Sequence, residues 1–67
     1  GNNVYYFDAF GGAMPRDIAV TATAATSTAK VLINGSSTTT FTTQSTTRGV
    51  QILVQDGNSA PFILVVR

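Results

Sequence analysis

Apolar and polar residues alternate with a period of two along most of this chain, the period of β-strands. From Asp17 the sequence reads DIAVTATA, which puts Ile18, Val20, Ala22 and Ala24 on one face and Ala19, Thr21 and Thr23 on the other. That pattern predicts a half-buried strand over residues 17–24. Ala favours helices, but the β-branched alternation outweighs it, and no stripe of helical spacing runs through the segment. Residues 25–28 are small and polar and read as a turn. A strand over 29–33 comes next, with Val31 and Ile33 on one face. It runs into Asn34-Gly35, a pair that tolerates positive φ at both central positions of a type I′ turn. Residues 36–43 (SSTTTFTT) are low in complexity. Phe41 gives them one apolar anchor and argues for a strand over 39–43, against a competing reading as a disordered Thr-rich linker. Residues 49–55 alternate again, Val50, Ile52 and Val54 opposite Gln51, Leu53 and Gln55, and Asp56-Gly57-Asn58 is a second turn signal. After Pro61 the run FILVVR is almost continuously apolar. Such a strand is either covered on both faces or offers one face to a neighbour.

The first fourteen residues, GNNVYYFDAFGGAM, are aromatic and punctuated by glycine. A short strand fits residues 4–7, and Gly11-Gly12 with Pro15 separates it from the Thr/Ala strand. The chain therefore divides into an N-terminal aromatic arm or edge strand (1–16) and a β-sandwich core (17–67). Five to seven short antiparallel strands with turn chemistry between them and no helix candidate predict an all-β sandwich or small barrel.

Four segments in this order resemble the bacterial cadherin-like β-sandwich repeat, an immunoglobulin-like module. They are the alternating Thr/Ala strand from Ile18 to Ala24, the strand from Ala29 that runs into Asn34-Gly35, the long strand from Gly49 that ends at Asp56-Gly57, and the last strand from Phe62 to Arg67, aromatic at its start and basic at its end. The resemblance covers residues 17–67 and implies an immunoglobulin-like fold with surface, secreted or virion structural roles and no catalytic residues. The family has more chain before its first Thr/Ala strand. Here that segment is short and interrupted by Gly11-Gly12, so either an edge strand is missing or a neighbour supplies it.

Composition sharpens this picture. Sixty-seven residues make at most one domain. A chain of that size buries only about 60% of its unfolded surface and usually needs a disulfide, a metal or a partner. With no Cys and no His, disulfides and Cys/His zinc sites are excluded, which favours association with other chains. Charged residues are 10% of the chain, against about 25% in an ordinary soluble domain. Arg16, Lys30, Arg48 and Arg67 face Asp8, Asp17 and Asp56 for a net charge of +1. No basic stripe suggests nucleic acid, and no apolar run reaches the roughly 20 residues of a membrane span. Eleven Thr and five Ser make a polar surface from hydroxyls instead, and scarce charge removes a device that keeps chains apart. Gly1 in place of Met suggests a processed chain or a domain excised from a longer one.

Candidate chemistry is thin. Without His, Cys or Glu the acid–base and nucleophile options are few, a Ser–His–Asp arrangement is impossible, and a pair among the three Asp is the one carboxylate option in principle. Asp8, Asp17 and Asp56 are read structurally: Asp17 pairs with Arg16 or starts its strand, and Asp56 serves its turn through side-chain bonds to backbone. Asp56 and Asn58 at one tip are too few oxygens for calcium. Gly11-Gly12 lacks the Lys-Ser/Thr of a phosphate loop and the spacing of a dinucleotide fingerprint. Asn34-Gly35-Ser36 fits the N-glycosylation triplet, although a tight turn explains Asn34 more simply. No catalytic, cofactor or metal residue is assigned.

The aromatics carry the functional reading. Tyr5, Tyr6, Phe7 and Phe10 crowd the first ten residues. Three roles compete for them: core and sheet-edge packing, docking on a neighbouring subunit by strand addition, and a stacking platform for sugars. With Phe62 and Leu64 of the last strand they are the interface candidates. The expected function is that of a non-catalytic structural module, self-associating through sheet edges in a repetitive extracellular or virion assembly such as a decoration, tail, fibre or surface-filament protein. The alternatives are a carbohydrate-binding or adhesive module and a passive spacer repeat. The expected partners are further copies or neighbouring subunits, with a glycan as the alternative ligand.

Overall fold

A computed structural model describes residues 3–12, 14–47 and 49–67. Six strands succeed one another: β1 (Asn3–Phe7), β2 (Asp17–Thr21), β3 (Ala29–Ile33), β4 (Thr40–Gln44), β5 (Val50–Asp56) and β6 (Phe62–Val66). No helix occurs among the described residues. The strands form a four-stranded sheet of order β1-β6-β5-β3 and a two-stranded sheet pairing β2 with β4. The Thr-rich segment is thus a strand and not a linker. Phe41 anchors it, half-buried against the core, with Thr40 and Thr42 exposed beside it.

Alternation decides which side chains go in. Val50, Ile52 and Val54 of β5 stand beside Val66, Leu64 and Phe62 of β6. On the other side they meet Ile33 and Val31 of β3. These residues make the inner face, onto which Ile18, Val20, Ala22 and Phe41 of the smaller layer pack. The core is small: Phe10, Ile33, Val50, Ile52 and Val66 are its buried apolar side chains among the described residues.

One expectation of the pairing is corrected. The strands are not all antiparallel, because β1 runs parallel to β6, Val4 beside Ile63 and Phe7 beside Val66. The N-terminal segment therefore has a partner within the chain. The ladder continues past both strands: Arg67 N–H donates to the Phe7 carbonyl (2.9 Å), and the Arg67 carbonyl accepts from the Ala9 (2.7 Å) and Phe10 (3.2 Å) amides. Those last bonds turn the chain inward and drop Phe10 between the layers at 1% exposure. A second consequence concerns β6. It is paired on both sides, by β1 and β5, so the last strand has no free edge to offer a neighbour.

The Asn34-Gly35 turn forms as its chemistry demands, with φ of 50° and 82°, and Ile33 and Ser36 exchange two backbone bonds across it. Pairing stops after that one rung, and the chain crosses to the other layer, where β4 finds β2. Asn34 itself extends the β3–β5 ladder: its amide donates to the Gln51 carbonyl (2.8 Å), and its side-chain Oδ1 accepts from the Gln51 amide (2.9 Å).

Two strands cannot cover four. The surface area is 4707 Å², whereas a compact protein of 7.0 kDa has about 4,000 Å², so roughly 700 Å² is surplus. The radius of gyration, 12.7 Å, likewise exceeds the about 11 Å of a compact chain this long.

A core this small makes each member decisive. Phe10→Ala should cost about 3–5 kcal/mol, most or all of the stability of a domain near the low end of the usual range. Met14→Ala, at a site 76% exposed, should stay within about 0.5 kcal/mol. Urea titration followed by circular dichroism checks both, and equal effects would contradict this account of the core.

Candidate functional site: the aromatic edge

Strand β1 lies at the rim of the larger sheet and carries three exposed aromatics in a row. Tyr5, Tyr6 and Phe7 are 57%, 57% and 60% exposed, and Phe62 next door is 40% exposed. Strand alternation splits them. Tyr5 and Phe7 share the inner face with Leu64, Val66 and Phe62, beyond the reach of the two-stranded cover. Tyr6 points to the outer face with Val4, Ile63 and Val65. Tyr5 meets Phe62 edge to face, with ring centroids 6.1 Å apart and planes at 83°. On the opposite face the Arg67 guanidinium sits 4.2 Å from the Tyr6 ring centroid, and its Nε donates to Asp8 Oδ1 at 2.9 Å.

Of the six interface candidates, Tyr5, Tyr6, Phe7 and Phe62 are thus displayed. Leu64 is half-buried against the core, and Phe10 is inside it. Phe10 is therefore a packing residue and is not available for docking. Its aromatic neighbours in sequence lie on a strand, whereas Phe10 lies beyond the strand's end, a distinction that clustering in the sequence does not reveal.

The outer face of the larger sheet carries a feature that residue-by-residue reading missed. Val4, Ile63, Leu53 and Leu32 are successive cross-strand neighbours and form one apolar row over all four strands. Leu53 between Gln51 and Gln55, and Leu32 after Lys30, were the signals: each is an apolar residue on the polar side of its alternation.

The carboxylates serve local structure, each in a different place. Asp8 takes Arg67. Asp17 accepts from Gln44 Nε2 across the β2–β4 pair and does not pair with Arg16. Asp56 accepts from the hydroxyls of Thr28 and Thr26, fastening the loop before β3 and not its own turn. Among the described residues no three acidic groups gather where a cation could bind. Arg16 instead clamps the loop after β1, donating through its two terminal nitrogens to the Gly11 and Ala9 carbonyls at 2.6 Å each. Its backbone exchanges bonds with Ser45: the Arg16 amide donates to the buried Ser45 hydroxyl, and the Ser45 amide to the Arg16 carbonyl, both at 2.8 Å.

Compared with known proteins, the chain matches no family model, no curated protein and no solved structure.

The contacts around the edge differ in worth. Ser45→Ala removes a buried acceptor and strands the Arg16 amide, so it should cost about 1–2 kcal/mol. Arg67→Ala removes an exposed ion pair and an exposed ring contact and should cost about 1 kcal/mol or less. Thermal unfolding of the two variants side by side tests the order, and a reversed order would contradict it.

Proposed function

We propose that this chain is a non-catalytic structural module with an immunoglobulin-like sandwich fold, which self-associates through a sheet edge in a repetitive extracellular or virion assembly. The observation that carries this reading is the rim strand β1: an edge strand bearing Tyr5, Tyr6 and Phe7, all exposed and with no charged residue among its five positions. Edge strands without charge, proline or bulge are ready templates for pairing with other chains.

The connectivity supports the fold part of the reading. In immunoglobulin domains the third, sixth and seventh strands make one sheet and the second and fifth belong to the other. Here β3, β5 and β6 pair in one sheet and β2 with β4 in the other. Those five strands are distributed as in that arrangement, given one crossing strand fewer between β3 and β4, whereas β1 joins the larger sheet and departs from it. The scarcity of charge supports the association part, as does a surface roughly 700 Å² larger than a compact chain of this mass requires.

A sugar platform is disfavoured by the same geometry. Phe10 is buried, alternation sends Tyr6 to the opposite side of the sheet from Tyr5 and Phe7, and the Tyr5 ring is engaged edge to face with Phe62. The guanidinium of Arg67 already lies over the Tyr6 ring.

Sedimentation equilibrium over rising concentration tests the proposal. The expected result is reversible association with an apparent mass above 7.0 kDa. A monomer at every concentration up to ~1 mM, a range that would reveal even an interaction of about 4 kcal/mol, would overturn it.

A further inference from the structure

The structure has four sheet edges, and they are not equally open. Antiparallel ladders alternate residues that bond to the partner with residues whose N–H and C=O point outward. The bond from Asn34 N–H to the Gln51 carbonyl fixes that alternation for β3: Ala29, Val31 and Ile33 point outward. Ile33 is then occupied on both groups by Ser36, and the Ala29 amide is taken by the Thr26 carbonyl (3.4 Å). On β4 the outward residues are Thr40, Thr42 and Gln44, by the same logic from the Ala22–Thr39 bond. The Thr38 hydroxyl bonds both the amide and the carbonyl of Thr40, and the Gln44 carbonyl accepts from Thr47. Both edges are blunted at their ends by their own flanking turns, which leaves one central residue on each, Val31 and Thr42, with both outward groups free among the described residues.

Strands β1 and β2 are not blunted in this way. The bonds between Arg67 and Phe7 and Ala9 fix the parallel ladder, in which Asn3, Tyr5 and Phe7 bond to β6, while Val4 and Tyr6 turn their backbone groups outward. No backbone group outside that ladder bonds Val4 or Tyr6 among the described residues. The outward groups of β2 are also free of such bonds, but β2 begins with the Asp17 carboxylate and shows only Ala19 and Thr21 beside it. Of the two open edges, β1 alone carries large apolar side chains on both of its faces.

We propose that β1 pairs antiparallel with β1 of a second copy about a two-fold axis at Tyr5. The proposal rests on the self-association reading above and specifies its geometry. One register makes the five-residue strand fully self-complementary: Tyr5 faces the second copy's Tyr5, Val4 faces its Tyr6, and Asn3 faces its Phe7. The outward groups of Val4 and Tyr6 then satisfy those of Tyr6 and Val4 opposite, and the two four-stranded sheets become one sheet of eight. An interface of this kind is isologous and closes on itself. Tyr5 and Phe7, which the small cover leaves bare on the inner face, meet Tyr5 and Asn3 of the second copy there. The apolar row on the outer face continues across the joint through Val4 and the second copy's Tyr6.

The register can be read with single cysteines, since the chain has none of its own. Directly opposed residues at a non-hydrogen-bonded antiparallel position have Cα atoms about 4.5 Å apart, within disulfide reach. Tyr5→Cys should therefore oxidise to a covalent dimer. Val4→Cys, displaced by two positions from its symmetry mate, and Ala19→Cys on the β2 edge should give at least ~10-fold less. As a second arm, Val4→Pro removes an outward N–H that the β1–β6 ladder does not use. It should keep the native circular dichroism spectrum and abolish association. If the native chain associates while Tyr5→Cys cross-links no better than Val4→Cys or Ala19→Cys, this pairing is wrong and the broader self-association reading survives. If the native chain stays monomeric, both fall.

Discussion

Among the described residues the two layers close on five buried apolar side chains, and the smaller layer contributes none of them. Ile33, Val50, Ile52 and Val66 come from the four-stranded sheet; the fifth, Phe10, comes from the loop after its rim strand. The position of that ring is therefore the constraint on which the rest depends. It is set by backbone chemistry: a single carbonyl, that of Arg67, accepts from both Ala9 and Phe10 and so bends the chain inward where β1 ends. The Arg16 guanidinium then holds the Ala9 and Gly11 carbonyls on either side of the ring. The paired backbone of Arg16 and Ser45 connects that clamp to the β2–β4 pair. The seat of Phe10, the closed loop and the smaller sheet are thus joined by one connected set of hydrogen bonds, which adds to what so few buried groups supply.

Much of this was legible in the sequence because the information is local. Alternation identified Ile18, Val20, Ala22, Val31, Ile33, Val50 and Ile52 as inward-facing, and the structure places each of them against the core or in it. Asn34-Gly35 announced its positive φ values. What escaped was non-local. The parallel pairing of β1 with β6 joins residues about sixty positions apart, and no turn chemistry records it. The fate of Phe10 depends on that pairing, so its neighbours Tyr5, Tyr6 and Phe7 gave no sign that it alone would be buried. The apolar row from Val4 to Leu32 was hidden for the same reason: its members are consecutive only across strands.

The Thr content also acquires a meaning beyond strand propensity. Thr38 occupies the backbone groups of Thr40 at the β4 edge. Thr26 and Thr28 hold the Asp56 carboxylate and so fix the β2–β3 loop against the β5 tip. Hydroxyls here do work that charged side chains do elsewhere, satisfying edges and tying loops. They do it within the chain and leave the surface with little charge to repel a neighbour.

The parallel pairing of the first and last strands has one further consequence, which concerns force. Tension applied through the start of β1 and the end of β6 pulls two parallel neighbours in opposite directions along their common axis. The hydrogen bonds between them, which continue through Arg67 to Phe7 and Ala9, are then loaded together in shear. In a terminal antiparallel hairpin the same tension would open them one at a time. Resistance to such a load is set by the barrier to unfolding and not by the equilibrium stability, so the size of the core does not decide it.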